Sequence, residues 1–185
     1  LDQFLKTGAN QRTDDYGGPI ENRARLMLEV TRAVADAVGH DRVGIRLSPV
    51  TPANDIVDAD PQPLFDHLAR QLAPLGLAYV HVIEGATGGP REVAGRPFDY
   101  AAFKAAYRQA GGRGAWMVNN AYDPATAEQA IASGRADLVA FGKAFISMPD
   151  LAERIRRGGP YQGLDKATMY GGGARGYTDY PALPD

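Results

Sequence analysis

An α/β fold with a parallel sheet, of the kind that closes into a (β/α)8 TIM barrel, is predicted by three observations. Short apolar runs alternate with helix-period stretches four times along the 185 residues. Such alternation produces parallel strands joined by right-handed crossovers. The run Leu138-Val139-Ala140-Phe141 is apolar at every position, as expected of a strand in a sheet covered by helices. Finally, the last two runs stop abruptly, Trp116-Met117-Val118 at Asn119-Asn120-Ala121 and Leu138–Phe141 at Gly142-Lys143. In parallel barrels the loops after the final strands, with a short helix N-terminus, bind phosphate. A free helix start offers unpaired N–H groups and partial positive charge. Gly142 lets a backbone approach closely and Lys143 adds a full charge. Together with Asn119 and Asn120 as the opposite wall, these residues predict a phosphate grip on a barrel rim.

The elements follow in order. Leu1 to Gly18 is polar and loop-like, and Pro19 suits a first helical turn because its missing N–H would be unpaired there. Ile20, Ala24, Met27, Val30, Val34 and Val38 form one apolar stripe at helical spacing, with Gly39 as the stop. The first strand is Val43 to Leu47, halted by Ser48-Pro49. A loop rich in Asp and Pro leads to a helix over Pro63–Leu75. The second strand is Ala78 to Glu84, ended by Gly85, and a helix over Asp99–Ala110 follows. Ala115 to Asn119 is the third strand. Asp123-Pro124 caps a helix to Ser133, and Leu138 to Phe141 is the fourth strand. Helices near Ala144–Ser147 and Pro149–Arg157 precede an irregular Gly- and Tyr-rich tail from Tyr161. No linker or fixed-period repeat interrupts this order, so residues 1–185 read as a single unit.

Four strands do not close a barrel that needs eight, and a complete one takes about 250 residues. Alone, the sheet would expose unpaired edges and its apolar inner face. Either the sheet is a small open one or another stretch of chain supplies the missing half. The rim chemistry favours the second, in which this chain is the half-barrel of the last four strand–helix units.

Composition narrows the function classes. A net charge of −2 without a basic run argues against nucleic-acid or membrane-surface binding. No run approaches the roughly 18 apolar residues of a membrane span. The absence of cysteine removes disulfides, thiolate metal sites and a cysteine nucleophile. His40, His67 and His81 lack metal-ligand spacing, and Asp55, Asp58 and Asp60 lack the glycine and terminal glutamate of a calcium loop, so no metal is expected. His81, in the second strand, reads as a satisfied core residue. No signal peptide is visible, and a cytoplasmic protein is the default expectation.

Arg46, near the carboxyl end of the first strand, carries the most pointed chemistry. A guanidinium keeps its charge, so inside a barrel it needs an anionic or electron-rich partner. That partner is either a neighbouring carboxylate or a cofactor at the barrel mouth. Gly171-Gly172-Gly173-Ala174-Arg175-Gly176 matches G-x-G-x-x-G in letters, but lacks the strand before and helix after that a dinucleotide fold requires.

Several segments together resemble the Old Yellow Enzyme family of FMN-dependent ene-reductases, which includes N-ethylmaleimide and xenobiotic reductases. They are Asn10-Gln11-Arg12-Thr13-Asp14-Asp15-Tyr16-Gly17-Gly18 with Glu21-Asn22-Arg23-Ala24-Arg25, then Gly44-Ile45-Arg46-Leu47-Ser48-Pro49, Phe141-Gly142-Lys143, and Tyr170 to Tyr180. The likeness runs in order along essentially the whole chain. It implies a flavin reduced by NAD(P)H that passes a hydride to the β-carbon of an activated alkene such as an enone, maleimide or nitroalkene. By this resemblance Arg46 lies beside the flavin N1/C2 carbonyl edge, where positive charge favours the anionic reduced ring. Asn119, Asn120, Gly142 and Lys143 would hold the FMN phosphate, while Tyr170 and Asn54 would border the substrate pocket. Lys143 stands where many relatives carry arginine, which keeps the charge but loses the bidentate fork.

The same resemblance places the tyrosine proton donor, the His–His or His–Asn substrate-binding pair and the first four strands in the N-terminal half of the barrel. No catalytic residue is assigned in this chain, and activity is expected only with that half present. Two other readings are an aldolase or isomerase on a phosphate-binding barrel, and a non-catalytic half-barrel assembly module.

Overall fold

The structure, a computed structural model, describes residues 1–52, 56–170 and 172–184. The elements in chain order are α1 (Asp2–Leu5), α2 (Ile20–Val38), β1 (Gly44–Leu47), α3 (Pro61–Leu72), β2 (Tyr79–Ile83), α4 (Tyr100–Gln109), β3 (Ala115–Asn119), α5 (Pro124–Ala132), β4 (Leu138–Ala140), α6 (Lys143–Ser147) and α7 (Leu151–Arg157). The sequence reading of these elements agrees to within a few residues at each end, except that the N-terminal loop contains the short helix α1. The contacts divide into two compact units, Leu1–Val139 and Ala140–Asp185.

The sheet is four-stranded in the order β1-β2-β3-β4, and β1, β2 and β3 pair in parallel. The order is sequential, as right-handed strand–helix–strand units require. Pairing aligns Arg46 with His81 and His81 with Met117, while Ile83 lies opposite Asn119. Side chains alternate across a strand, so Ile45, Leu47, Val80, Val82, Trp116 and Val118 share one face. All of them are buried, in one core with Leu64, Phe65, Leu68 and Leu72 of α3 and Phe103 and Tyr107 of α4. The Trp116 ring lies 5.0 Å from Phe103 and 5.6 Å from Tyr107. Aromatic pairs at such distances contribute about 0.5–1.5 kcal/mol beyond their buried area.

Leu138, expected to be covered, is 44% exposed. It sits on β4, the last strand of the sheet among the described residues.

The segment before α2 is fastened by buried charges. Lys6 Nζ donates to the carbonyls of Ser48 (2.9 Å) and Pro49 (2.6 Å) at the end of β1, and lies 4.5 Å over the Phe65 ring. Burial lowers its pKa from the ordinary lysine value, with Asp2 and Asp58 opposing that shift. Arg23 pairs with Asp58 at 2.6 Å and donates to the Leu5 carbonyl. Asn10 Nδ2 donates to the carbonyls of Phe4 (2.6 Å) and Tyr16 (2.7 Å). Asn10 and Arg23, both in the Asn10–Arg25 signature, thus act here as fasteners of backbone.

In the unit Ala140–Asp185, the buried Arg154 gathers the tail. It donates to Asp150 (2.6 Å), the Pro160 carbonyl (2.8 Å) and the Pro181 carbonyl (2.9 Å), while the Leu183 N–H donates to Asp150 at 2.6 Å. The tail is irregular, as expected, but hydrogen-bonded at both ends.

Candidate functional site

The alternation that buries one face of the sheet turns Arg46, His81, Met117 and Asn119 to the other. Arg46 is exposed, and among the described residues it has neither an ion-pair partner nor a hydrogen bond. The carboxylate partner that a structural reading of Arg46 demands is not found among them. Next to it in register, His81 is half-buried with Nε2 shielded from solvent and unpaired. Burial, then the positive charge of Arg46, lowers the His81 pKa below its ordinary value of 6.5, with Asn119 opposing. Both causes favour the neutral form of the ring. Asn119 Oδ1 is likewise shielded without a hydrogen-bond partner. A buried polar atom left unpaired costs about 1–3 kcal/mol, so this side of the sheet retains binding capacity that the chain itself does not use.

At the carboxyl ends of β2 and β3 the backbone is unusual. Asn120 and Ala121 both have positive φ, 97° and 52°, and a non-glycine residue in that region costs on the order of 1–2 kcal/mol. The Asn120 side chain helps to hold this turn. Its Nδ2 donates to the carbonyls of Glu84 (2.7 Å), Ala86 (2.7 Å) and Gly89 (3.2 Å), and its Oδ1 accepts from the Gly88 N–H at 3.1 Å. The amide is thus taken up by the β2–α4 loop, leaving the backbone of 119–121 as what this turn presents. Gly85 is required in the same loop, because a Cβ there would meet the Pro90 carbonyl oxygen at 2.2 Å.

Glu84 lies beneath this turn at 1% exposure. Its carboxylate accepts from the Tyr122 hydroxyl at 2.6 Å and pairs with Arg135 at 2.9 Å. Burial and the bond to Glu84 raise the Tyr122 pKa, so its proton stays on the phenol.

In the other unit, Gly142 caps α6 and Lys143 is its first residue, both exposed. No atom lies within 4 Å of where a Gly142 Cβ would stand, so a close approach there is unobstructed. Tyr170 is 84% exposed. Asn54 lies outside the described residues.

The family described as NADH:flavin oxidoreductase / NADH oxidase matches residues 1–162. The chain belongs to that family. Relatives include 12-oxophytodienoate reductase 2 of Arabidopsis thaliana, 36% identical over 184 residues, with 99% of this chain and 48% of the relative covered. Chanoclavine-I aldehyde reductase of Penicillium roqueforti is 42% identical over 185 residues, covering 97% and 49%. Among solved structures, morphinone reductase in complex with tetrahydroNAD superposes with a TM-score of 0.87 at 42% identity, covering 100% of this chain and 47% of that one. The old yellow enzyme of Trypanosoma cruzi gives 0.88 at 36% identity, covering 99% and 47%. The chain spans about half the length of these family members. The resemblance to Old Yellow Enzymes drawn from the motifs is thereby borne out, and so is a parallel α/β half-barrel.

Within this family frame, sequence reasoning missed His81 and Glu84. His81 carried no signal of its own, because only the register of β1 with β2 brings it beside Arg46. Glu84 is a carboxylate ending an apolar strand, where a buried charge demands partners.

Proposed function

We propose that this chain forms the C-terminal, phosphate-binding half of an NAD(P)H-dependent FMN ene-reductase. The observation that carries the proposal is Arg46, a cation without a partner among the described residues, on the sheet side that also holds the unpaired His81 Nε2 and Asn119 Oδ1. These groups fit a flat heteroaromatic ligand with N–H and carbonyl edges. Membership in a flavin oxidoreductase family supports FMN as that ligand, and a relative named as a flavin mononucleotide-dependent alkene reductase, from Leishmania infantum, supports the activity.

Bound FMN would supply hydride transfer from NAD(P)H to the β-carbon of an activated alkene. In this reading Arg46 stabilises negative charge at the ring's N1/C2 carbonyl edge. The turn Asn119–Ala121 offers its backbone to the phosphate, and Gly142 and Lys143, in the other unit, carry the family resemblance to the same task. Tyr170 borders the substrate. The remaining proton donor and substrate-binding pair come from a complementary N-terminal half-barrel, in the same or a companion chain. Residues 1–185 then act as one structural part of a small-molecule enzyme, with a cytoplasmic location as the default.

The decisive experiment joins this chain to an N-terminal half and measures flavin content and NAD(P)H-dependent reduction of an enone. We expect a flavin spectrum and alkene-dependent oxidation of NAD(P)H, and only weak FMN binding by the four-stranded chain alone. A colourless, folded complex that binds sugar phosphates would overturn the reading in favour of an aldolase or isomerase.

A further inference from the structure

We infer that Glu84 is a positioning residue for the phosphate end of the flavin site, acting through Tyr122, Arg135 and the turn at Asn119–Ala121. The inference rests on the reading of that turn as the phosphate-binding wall.

Glu84 makes contact through four separate groups, three reaching the turn or Tyr122 beside it and one reaching Arg135. Its N–H donates to the Asn119 carbonyl at 3.1 Å. Its carbonyl accepts from Asn120 Nδ2 at 2.7 Å. Its two carboxylate oxygens divide their work: Oε2 accepts from the Tyr122 hydroxyl at 2.6 Å, and Oε1 accepts from Arg135 Nη2 at 2.9 Å and Nε at 3.2 Å. Tyr122 is the residue immediately after the two positive-φ positions, so anchoring its hydroxyl fixes where the turn leaves β3. The Tyr122 ring is engaged as well, by the Arg91 guanidinium 4.5 Å from its centroid.

A carboxylate at 1% exposure is costly to bury, and a pair of apolar residues would hold the strands together at least as well. What the carboxylate adds is direction. One oxygen specifies the position of Tyr122 and the other the position of Arg135, while the main chain of the same residue grips Asn119 and Asn120. The strained turn between them is thereby held from both sides, and a strained backbone persists only where its surroundings over-determine it. The bonds leave the N–H groups of the turn preorganised for an anion rather than free to relax.

The test compares FMN with riboflavin, which has the same ring and no phosphate, in the complete protein carrying this chain. Dissociation constants are measured by flavin fluorescence quenching for wild type, Tyr122→Phe, Glu84→Gln and Arg135→Lys. Tyr122→Phe should weaken FMN about tenfold, the equivalent of ~1.4 kcal/mol, and leave riboflavin almost unchanged. Glu84→Gln should do the same or more, and Arg135→Lys, which keeps the charge, should largely retain wild-type preference. Equal weakening of both ligands, or a lower melting temperature with the FMN-to-riboflavin ratio intact, would overturn the inference by showing a merely structural role. Should Glu84→Gln fail to fold, Tyr122→Phe, which removes one hydroxyl, still decides it. A wild-type protein that shows no preference for FMN over riboflavin would instead take down the phosphate site itself, and with it this role for Glu84.

Discussion

The two faces of the sheet are built from alternate residues of the same three strands, yet they are spent differently. Ile45, Leu47, Val80, Val82, Trp116 and Val118 face α3 and α4 and are at most 8% exposed. Arg46, His81, Met117 and Asn119 face away, and two of them carry buried polar atoms without partners. A face that existed only for stability would not keep a shielded imidazole nitrogen and a shielded amide oxygen unpaired, because both cost free energy in that state. The difference teaches that burial and incompletely satisfied polarity can be read one residue apart along a strand. The first marks what holds the fold, the second where a ligand completes it.

The largest expected effect tests the covered face. Trp116→Ala removes a ring that is 2% exposed and packed on Phe103 and Tyr107. It should cost about 3–5 kcal/mol of stability, seen as a lower urea midpoint of the complete protein at unchanged slope. A loss comparable to that of a surface substitution would erase the contrast between the faces.

Arg46→Met, on the other face, should do the reverse. Its side chain is exposed and has no described partner, so stability should change by no more than about 0.5 kcal/mol. In the flavin-loaded protein the missing charge should lower the two-electron reduction potential. A charge-assisted hydrogen bond of about 1.5–3 kcal/mol corresponds to roughly 30–60 mV. A potentiometric titration of both proteins checks this, and matching potentials would remove Arg46 from the cofactor. A large loss of stability with no shift in potential would restore the reading of Arg46 as a structural ion pair.

The unequal legibility of the two faces follows from the same physics. The four strands and their helices were readable from apolar periodicity because burial is a repeating demand that many residues answer at once. Asp123 was readable as a cap because its side chain acts locally, accepting from the Thr126 N–H at 2.8 Å and the Thr126 hydroxyl at 2.7 Å. The short helix α1 was not, since its four residues lie within a polar stretch. Arg46 stood out as a charge in an apolar strand. His81 did not, because an imidazole in a strand serves equally well as a satisfied core residue, and only the register of β1 with β2 brings it beside Arg46. The role of Asn120 was beyond sequence: its amide binds a loop more than thirty positions away. The Glu84–Arg135 pair spans 51 positions and depends on tertiary packing alone.

The smallest expected effect concerns Arg46 and His81, neighbours on the open face. Burial and the charge of Arg46 both depress the His81 pKa, while Asn119 raises it. In the unfolded chain the imidazole returns to its ordinary value near 6.5. Below that value the unfolded state binds a proton that the folded state resists, so unfolding takes up protons and stability falls as pH decreases. Above it both states are neutral and His81 contributes no pH dependence. The loss is therefore confined to the window from about 6.5 down to the lowered folded value. Replacing Arg46 with Met removes one of the two depressing causes, so the His81 resonance should titrate at higher pH in that variant than in wild type. The acid-side fall in stability should become shallower by the same linkage. An NMR titration of the imidazole in the complete protein, with and without flavin, reads this directly. If Arg46→Met leaves the His81 titration unmoved, the two side chains do not share an electrostatic environment, and the open face is a set of separate polar residues rather than one site.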